Sequence, residues 1–134
     1  MLQDVQVTST RAGKHTPMAF SNFDQSQIKS VNFGQDIPYI LSLTPSITTT
    51  SDAGNGIGYT TLRVRGTDPS RINITSNGVP QSDAESSQLF WVNMADFASN
   101  LQSMQIQRGV GTSTNGTGAF GATINMLTEN IGTK

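Results

Sequence analysis

The sequence predicts an α+β fold: a small mixed β-sheet with a few short helices and unusually long loops. Three observations carry that reading. Apolar residues recur with period two in short runs, as in Leu62/Val64 and Ile72/Ile74. Helix-start chemistry occurs in brief stretches that leave room for only one or two turns. Glycine, serine, threonine and asparagine fill the long intervals between them.

Taken in order, Asp4-Val5-Gln6-Val7-Thr8 alternates apolar and polar residues with β-branched types, as an extended or edge strand does. Residues 10–16 read as loop. A short helix is expected over residues 24–31. A second opens at Asp36, whose carboxylate is expected to cap the free amides while Pro38 sits in the first turn, where its missing N–H costs nothing. Ile37, Ile40 and Leu41 share one face of it, and Pro45 should end it. Residues 48–61 contain three glycines and no apolar periodicity, so they read as one long loop. Leu62 and Val64 then point one way and Arg63 and Arg65 the other, until Gly66 interrupts. Past a turn at Asp68-Pro69, Ile72 and Ile74 alternate with Asn73 and Thr75. Asn77-Gly78 favours a type I′ turn, because both residues tolerate positive φ, and a strand is expected to end near Val79-Pro80. Residues 81–93 read as loop, 94–100 as a short helix, 103–108 and 122–127 as strands.

At 134 residues and 14.3 kDa the chain has room for one domain and one core. Charged residues make up 13% of it and the net charge is -1, with three lysines and five arginines scattered along its length. A nucleic-acid binder needs a concentrated cationic stripe to displace phosphate counterions, so DNA and RNA are excluded as partners. Serine, threonine, asparagine and glutamine together supply 52 residues. That surface chemistry suits hydrogen bonding to protein or trapped water more than solubility through charge. With no cysteine there are no disulfides, thiolate metal sites or cysteine nucleophiles. The first ten residues lack a cationic region followed by an apolar run, so they do not read as a signal peptide. The uncharged run over residues 109–128 is too rich in Gly, Thr, Ser and Asn to sit in hydrocarbon as a helix.

Several motifs suggest chemistry and fail on context. Gly116, Gly118 and Gly121 spell G-x-G-x-x-G, but Thr123, Ile124 and Met126 read as a strand where a phosphate-holding helix would have to open. Ser26 to Lys29 fits S-x-x-K without its companion motifs, and residues 111–115 miss the nucleophile elbow at the last position. The single histidine, His15, sits in a polar stretch, and Asp52, Asn55 and Gly56 lack the downstream glutamate of a calcium loop. No catalytic constellation, metal site or cofactor is therefore expected. What persists is a pair of strand endings, Arg65-Gly66 and Arg108-Gly109. Guanidinium forks suit bidentate carboxylate recognition, and carboxylates are scarce in this chain, so a partner surface is expected to supply them.

The ordered series Asp36-Ile37-Pro38, Leu41 to Pro45, Val64-Arg65-Gly66, Asn77-Gly78-Val79-Pro80, Ile106-Gln107-Arg108-Gly109 and Gly118-Ala119-Phe120-Gly121-Ala122-Thr123-Ile124-Asn125 resembles the plug domain of TonB-dependent outer-membrane transporters. The wording of residues 91–126 is most similar to the Bacteroidetes branch. Three positions depart from the family pattern: Asn77 stands for the common aspartate, Ala122 for a glycine, and Ser46 for the glycine that follows the proline.

The resemblance implies a plug spanning residues 1–134, without its barrel, that fills the lumen of a transmembrane β-barrel in the outer membrane. It implies a periplasm-facing N-terminus that the TonB protein pulls when substrate docks outside. In the family the arginines of the two R-G motifs pair with glutamates of the barrel wall; here they are Arg65 and Arg108. Residues 1–10 become the N-terminal arm, with Asp4, Val5, Gln6, Val7 and Thr8 either the TonB box or the first plug strand. Substrate contact is expected from the loops at 48–61 and 81–91, with Asp83, Glu85 and Trp91 as participants, although Trp91 could instead pack in the core. Relatives carry siderophores, cobalamin and glycans. The isolated chain is expected to be a soluble monomer. A stand-alone cell-surface binding or adhesin module would also explain the polarity and the loops, but not the ordered motifs.

Overall fold

The computed structural model describes residues 13, 18–110 and 120–129. The arm at 1–10, including Asp4 to Thr8, His15 and the glycine-rich run at 111–119 lie outside the described residues.

Strand β1 (Ala19–Asp24) leads directly into helix α1 (Gln25–Val31). Asp24 ends the strand and caps the helix: its carboxylate accepts from Gln27 N at 2.8 Å, and Gln27 Oε1 accepts from Asp24 N at 3.0 Å. This reciprocal pair satisfies two donors that the first turn would otherwise leave bare. Ile28 is the one buried residue of α1. Helix α2 (Ile37–Ile40) is shorter than the sequence suggests, ending four residues before Pro45, at the cap Leu41. Asp36 precedes it, but its side chain makes no capping bond. The carboxylate turns into the core instead.

The expected long loop at 48–61 is largely a hairpin. β2 (Ile47–Ser51) pairs antiparallel with β3 (Thr60–Val64), leaving only residues 52–59 as the connection. Thr60, Leu62 and Val64 face inward, as the alternation predicts. Ser46, which replaces the family's glycine, has φ of 68° and accepts from Arg65 N at 2.8 Å, so the position requires the left-handed conformation whichever residue fills it.

Five strands form the main sheet in the order β1-β6-β7-β4-β5, using β4 (Ile72–Ser76), β5 (Val79–Pro80), β6 (Leu101–Arg108) and β7 (Ala122–Thr128). β4 runs parallel to β7 and the other pairs are antiparallel, which makes the sheet mixed. Asn77 (φ 51°) and Gly78 (φ 82°) turn β4 into β5, as the dipeptide predicts. The segment expected as a helix at 94–100 is instead two 3-10 turns, Trp91–Met94 and Phe97–Asn100.

Registration places Ile72, Ile74, Ala122, Ile124, Met126, Met104 and Ile106 on one face of the sheet, where Ile28, Ile37, Leu41, Leu62, Val64 and Trp91 complete the core. The opposite face carries Asn73, Thr75, Gln105, Gln107, Thr123 and Asn125, all buried as well. Its side chains bond across the strands: Thr75 Oγ1 donates to Asn125 Oδ1 at 2.7 Å, Gln107 Nε2 to Gln105 Oε1 at 2.9 Å, and Gln105 Nε2 to Asn22 Oδ1 at 2.6 Å. Buried amides of this kind are tolerated because they find partners.

Candidate functional site

Two places concentrate the residues of interest. The first is where β3 and β6 end. Arg65 leaves β3 in the left-handed conformation (φ 51°), followed by Gly66 at 74°. Its exposed side chain reaches Gly109, whose built Cβ would lie 3.9 Å from Arg65 Nη1. Arg108 is the residue before that glycine. It is half-buried and donates from Nη1 to Ser21 Oγ at 2.8 Å. Arg65 thus lies at the same corner of the domain as the strand end that carries Arg108. Among the described residues neither arginine has a carboxylate within 4 Å; the one ion pair found there joins Lys29 to Glu129 at 3.9 Å. Gly109 N donates to Gly121 O and Gly121 N to Arg71 O, both at 2.9 Å, which ties this corner to the start of β7. A Cβ at Gly121 would fall inside the Thr67 side chain, so glycine is required there by close approach.

The second place lies between the β2–β3 hairpin and the segment before the first 3-10 turn. A cavity of about 200 Å³ is walled by Leu62, Ile72, Ile74, Leu89 and Trp91, with Asp52, Tyr59, Gln88 and Phe90 among its other lining residues. Trp91 is only 3% exposed and belongs to the core cluster, yet contributes a wall. The connection at 52–59 is held by Asp36 and Tyr39. Asp36 N donates to Gly56 O at 2.7 Å, and a Cβ at Gly56 would lie 2.5 Å from the Tyr39 ring. Thr60 Oγ1 donates to the buried Asp36 Oδ2 at 3.0 Å, while Oδ1 has no partner among the described residues.

Of the three residues expected to touch substrate, Trp91 lines the cavity, while Asp83 and Glu85 lie in the adjoining loop, which Asp83 N ties to the lining residue Gln88 by a 2.8 Å bond to its carbonyl. Asp83 organises its own loop, accepting from Ser86 N at 2.8 Å, Ser86 Oγ at 3.0 Å and Glu85 N at 3.1 Å. These bonds, led by the Ser86 amide, hold its carboxyl below the ordinary aspartate range. Glu85 is exposed and Trp91 is buried. Asp52 and Tyr59 lie in the expected loop at 48–61 and Gln88 in that at 81–91, but the sequence pattern marks none of the three as a contact residue; the folding of these two segments brings them to one cavity. Among the described residues no group of three or more His, Cys, Asp or Glu side chains is placed to hold a metal ion.

The sequence model of the TonB-dependent Receptor Plug Domain matches residues 12–123, and the chain belongs to that family. The small mixed sheet with few helices is the fold of these plugs. Similar solved structures include the siderophore receptor PirA from Acinetobacter baumannii, with TM-score 0.61 and 17% identity over 86% of this chain and 18% of that one. The ferric yersiniabactin uptake receptor FyuA from Yersinia pestis matches with TM-score 0.62 and 15% identity over 93% of this chain and 19% of that one. FpvA of P. aeruginosa, bound to a heterologous pyoverdine, matches with TM-score 0.66 and 19% identity over 87% of this chain and 14% of that one. The chain therefore spans less than a fifth of the length of each of these three receptors. Among curated proteins none matches the sequence.

Proposed function

We propose that this chain is the plug of an outer-membrane receptor that occludes a β-barrel lumen and couples substrate binding outside to TonB-driven uptake. The observation that carries the reading is the family match over residues 12–123, supported by a fold shared with whole receptors of which the chain covers only a small part. The hydroxyl- and amide-rich composition suits a body packed against a polar, water-lined barrel interior.

Within this reading Arg65 and Arg108 dock to carboxylates of the barrel wall. Asp4, Val5, Gln6, Val7 and Thr8 form the segment that TonB takes up by strand addition on the periplasmic side. Substrate meets the connection at 52–59 and the loop at 81–91. There Glu85 offers an exposed carboxylate and Trp91 a pocket wall, while Asp83 shapes the loop. The chain has a transport role and no enzymatic one.

The test is conductance of the whole receptor in a planar bilayer, with and without the segment corresponding to residues 12–129. The intact receptor should stay closed and the deletion should conduct steadily; a deletion that stays closed would refute occlusion. Coupling is tested separately by binding of the TonB C-terminal domain to the chain, which Val5→Pro with Val7→Pro should abolish, since proline removes the N–H groups that an added strand must share.

A further inference from the structure

The cavity beside Trp91 has a size and a lining that select one chemistry. Its volume, about 200 Å³, is below the several hundred Å³ usual for a drug-sized ligand but comparable to apolar cavities of about 150 Å³ that stay dry and accept benzene. It holds one six-membered ring. The walls of Leu62, Ile72, Ile74 and Leu89 carry no polar side-chain group, so a sugar ring placed among them would bury hydroxyls without partners, at about 1–3 kcal/mol each. An aromatic ring has no such cost. It can also pack against the Trp91 indole.

Charge narrows the class further. No lysine or arginine lines the cavity, and its one carboxylate is Asp52. The arginines on flanking segments, Arg63 and Arg71, lie within electrostatic reach of Asp68, whose carboxyl they help to lower. An anionic ring would therefore meet a carboxylate and no cation among the lining residues. Polar lining groups are Asp52, Tyr59 (69% exposed), Thr60, Thr61 and Gln88, but the Thr60 hydroxyl is engaged by Asp36 and the Thr61 hydroxyl by Thr50.

We infer that this pocket receives an uncharged aromatic ring of the small molecule the receptor takes up, with a hydrogen-bond donor on the ring's substituent directed to Asp52. The inference rests on the plug reading above and adds the class of substrate group that the plug engages. Trp91 is the only tryptophan, so its indole N–H resonance reports occupancy without ambiguity.

The experiment titrates the isotopically labelled 134-residue chain with benzyl alcohol, benzoate and methyl α-D-glucopyranoside in parallel. Benzyl alcohol should shift the Trp91 Nε1–H and the amides of Leu62 and Leu89 along one saturable curve. Benzoate should bind at least about tenfold more weakly, and the glucoside should leave these signals unmoved. Asp52→Asn should narrow the gap between benzyl alcohol and benzoate. Ile74→Phe, which fills the cavity with its own ring, should abolish the response. Gln88→Trp, at a half-buried lining position, provides a second block should the first variant fail to fold. A silent or unsaturable Trp91 signal, equal binding of benzoate or the glucoside, or binding that survives both blocks would overturn the inference. Because the conductance test does not involve this pocket, a closed plug with no ring binding refutes the pocket alone. A conductance failure refutes the plug reading whatever the ring does.

Discussion

Arg65 lays its guanidinium beside Gly109, so that the side chain just past the end of β3 lies against the residue that follows Arg108. Two strand endings 43 positions apart in sequence thereby meet at one corner, with no described carboxylate within ion-pair distance of either arginine. Charges left in that state do little for the domain's own stability and are available to an external acid.

Replacing Arg65 with alanine should accordingly cost the isolated chain less than about 0.5 kcal/mol in chemical denaturation. Arg108→Ala should cost about 1 kcal/mol, the worth of its bond to Ser21. In the whole receptor the same changes should each weaken retention of the plug by about 3 kcal/mol, because partner carboxylates would be left buried and unpaired. Protease accessibility of the plug in purified receptor measures it. Equal effects with and without the barrel would mean the arginines do not dock there.

Gly121→Ala should destabilise the domain by about 1–3 kcal/mol, since the added methyl falls where the Thr67 side chain sits. Combining it with Thr67→Ser, which removes one of the clashing groups, should recover part of the loss. Strict additivity in the double-variant cycle would contradict the contact.

At position 46 two opposed effects can be weighed. Holding serine at φ 68° costs about 1–2 kcal/mol, whereas glycine gains about 0.4–1 kcal/mol of extra freedom in the unfolded chain. The balance favours Ser46→Gly by about 0.5–1 kcal/mol, seen as a higher denaturation midpoint.

Thr60→Val removes the donor to a buried carboxylate that has no other side-chain partner among the described residues. A loss of about 1–3 kcal/mol is expected, because a buried acceptor is left without its donor. Thr60→Ser, which keeps the hydroxyl, should restore most of it.

Acid should weaken the fold through three exposed aspartates. Asp24 is lowered first by the Gln27 amide and then by the Ser26 hydroxyl, Asp68 first by the Ser70 hydroxyl, and Asp83 first by the Ser86 amide. Each folded-state value lies below the ordinary 3.8. Their contribution is therefore complete above the unfolded value and is lost as pH falls through the folded ones. Thermal midpoints should hold from neutrality to about pH 5 and then drop below about pH 4. The triple variant D24N/D68N/D83N should flatten that drop, with asparagine keeping the capping geometry at Asp24.

Where local chemistry alone decides the structure, the sequence was sufficient. The alternation at Leu62 and Val64 and the Asn77-Gly78 turn appear as expected, and the helix over residues 24–31 forms with Asp24 as its cap. The failures come where a distant partner decides. β2 has a single buried apolar residue, Ile47, in a run of threonines, and only pairing with β3 makes it a strand. Asp36 carries a cap signature, but Thr60 from another strand takes its carboxylate. Asn73, Thr123 and Asn125 alternate as solvent-facing residues would, yet they are buried. The cavity escaped notice for the same reason, since Asp52, Ile74 and Gln88 share no local pattern.

β5 bears on how copies of this chain behave at high concentration. It is two residues long, closes one end of the main sheet, and finishes in Pro80, which has no N–H to offer. A strand approaching that side finds too few free backbone donors to continue the ladder, so end-to-end polymerisation of sheets through this border is blocked. Pro80→Thr would remove the block, and concentrated samples of that variant should form fibrils that the parent chain does not.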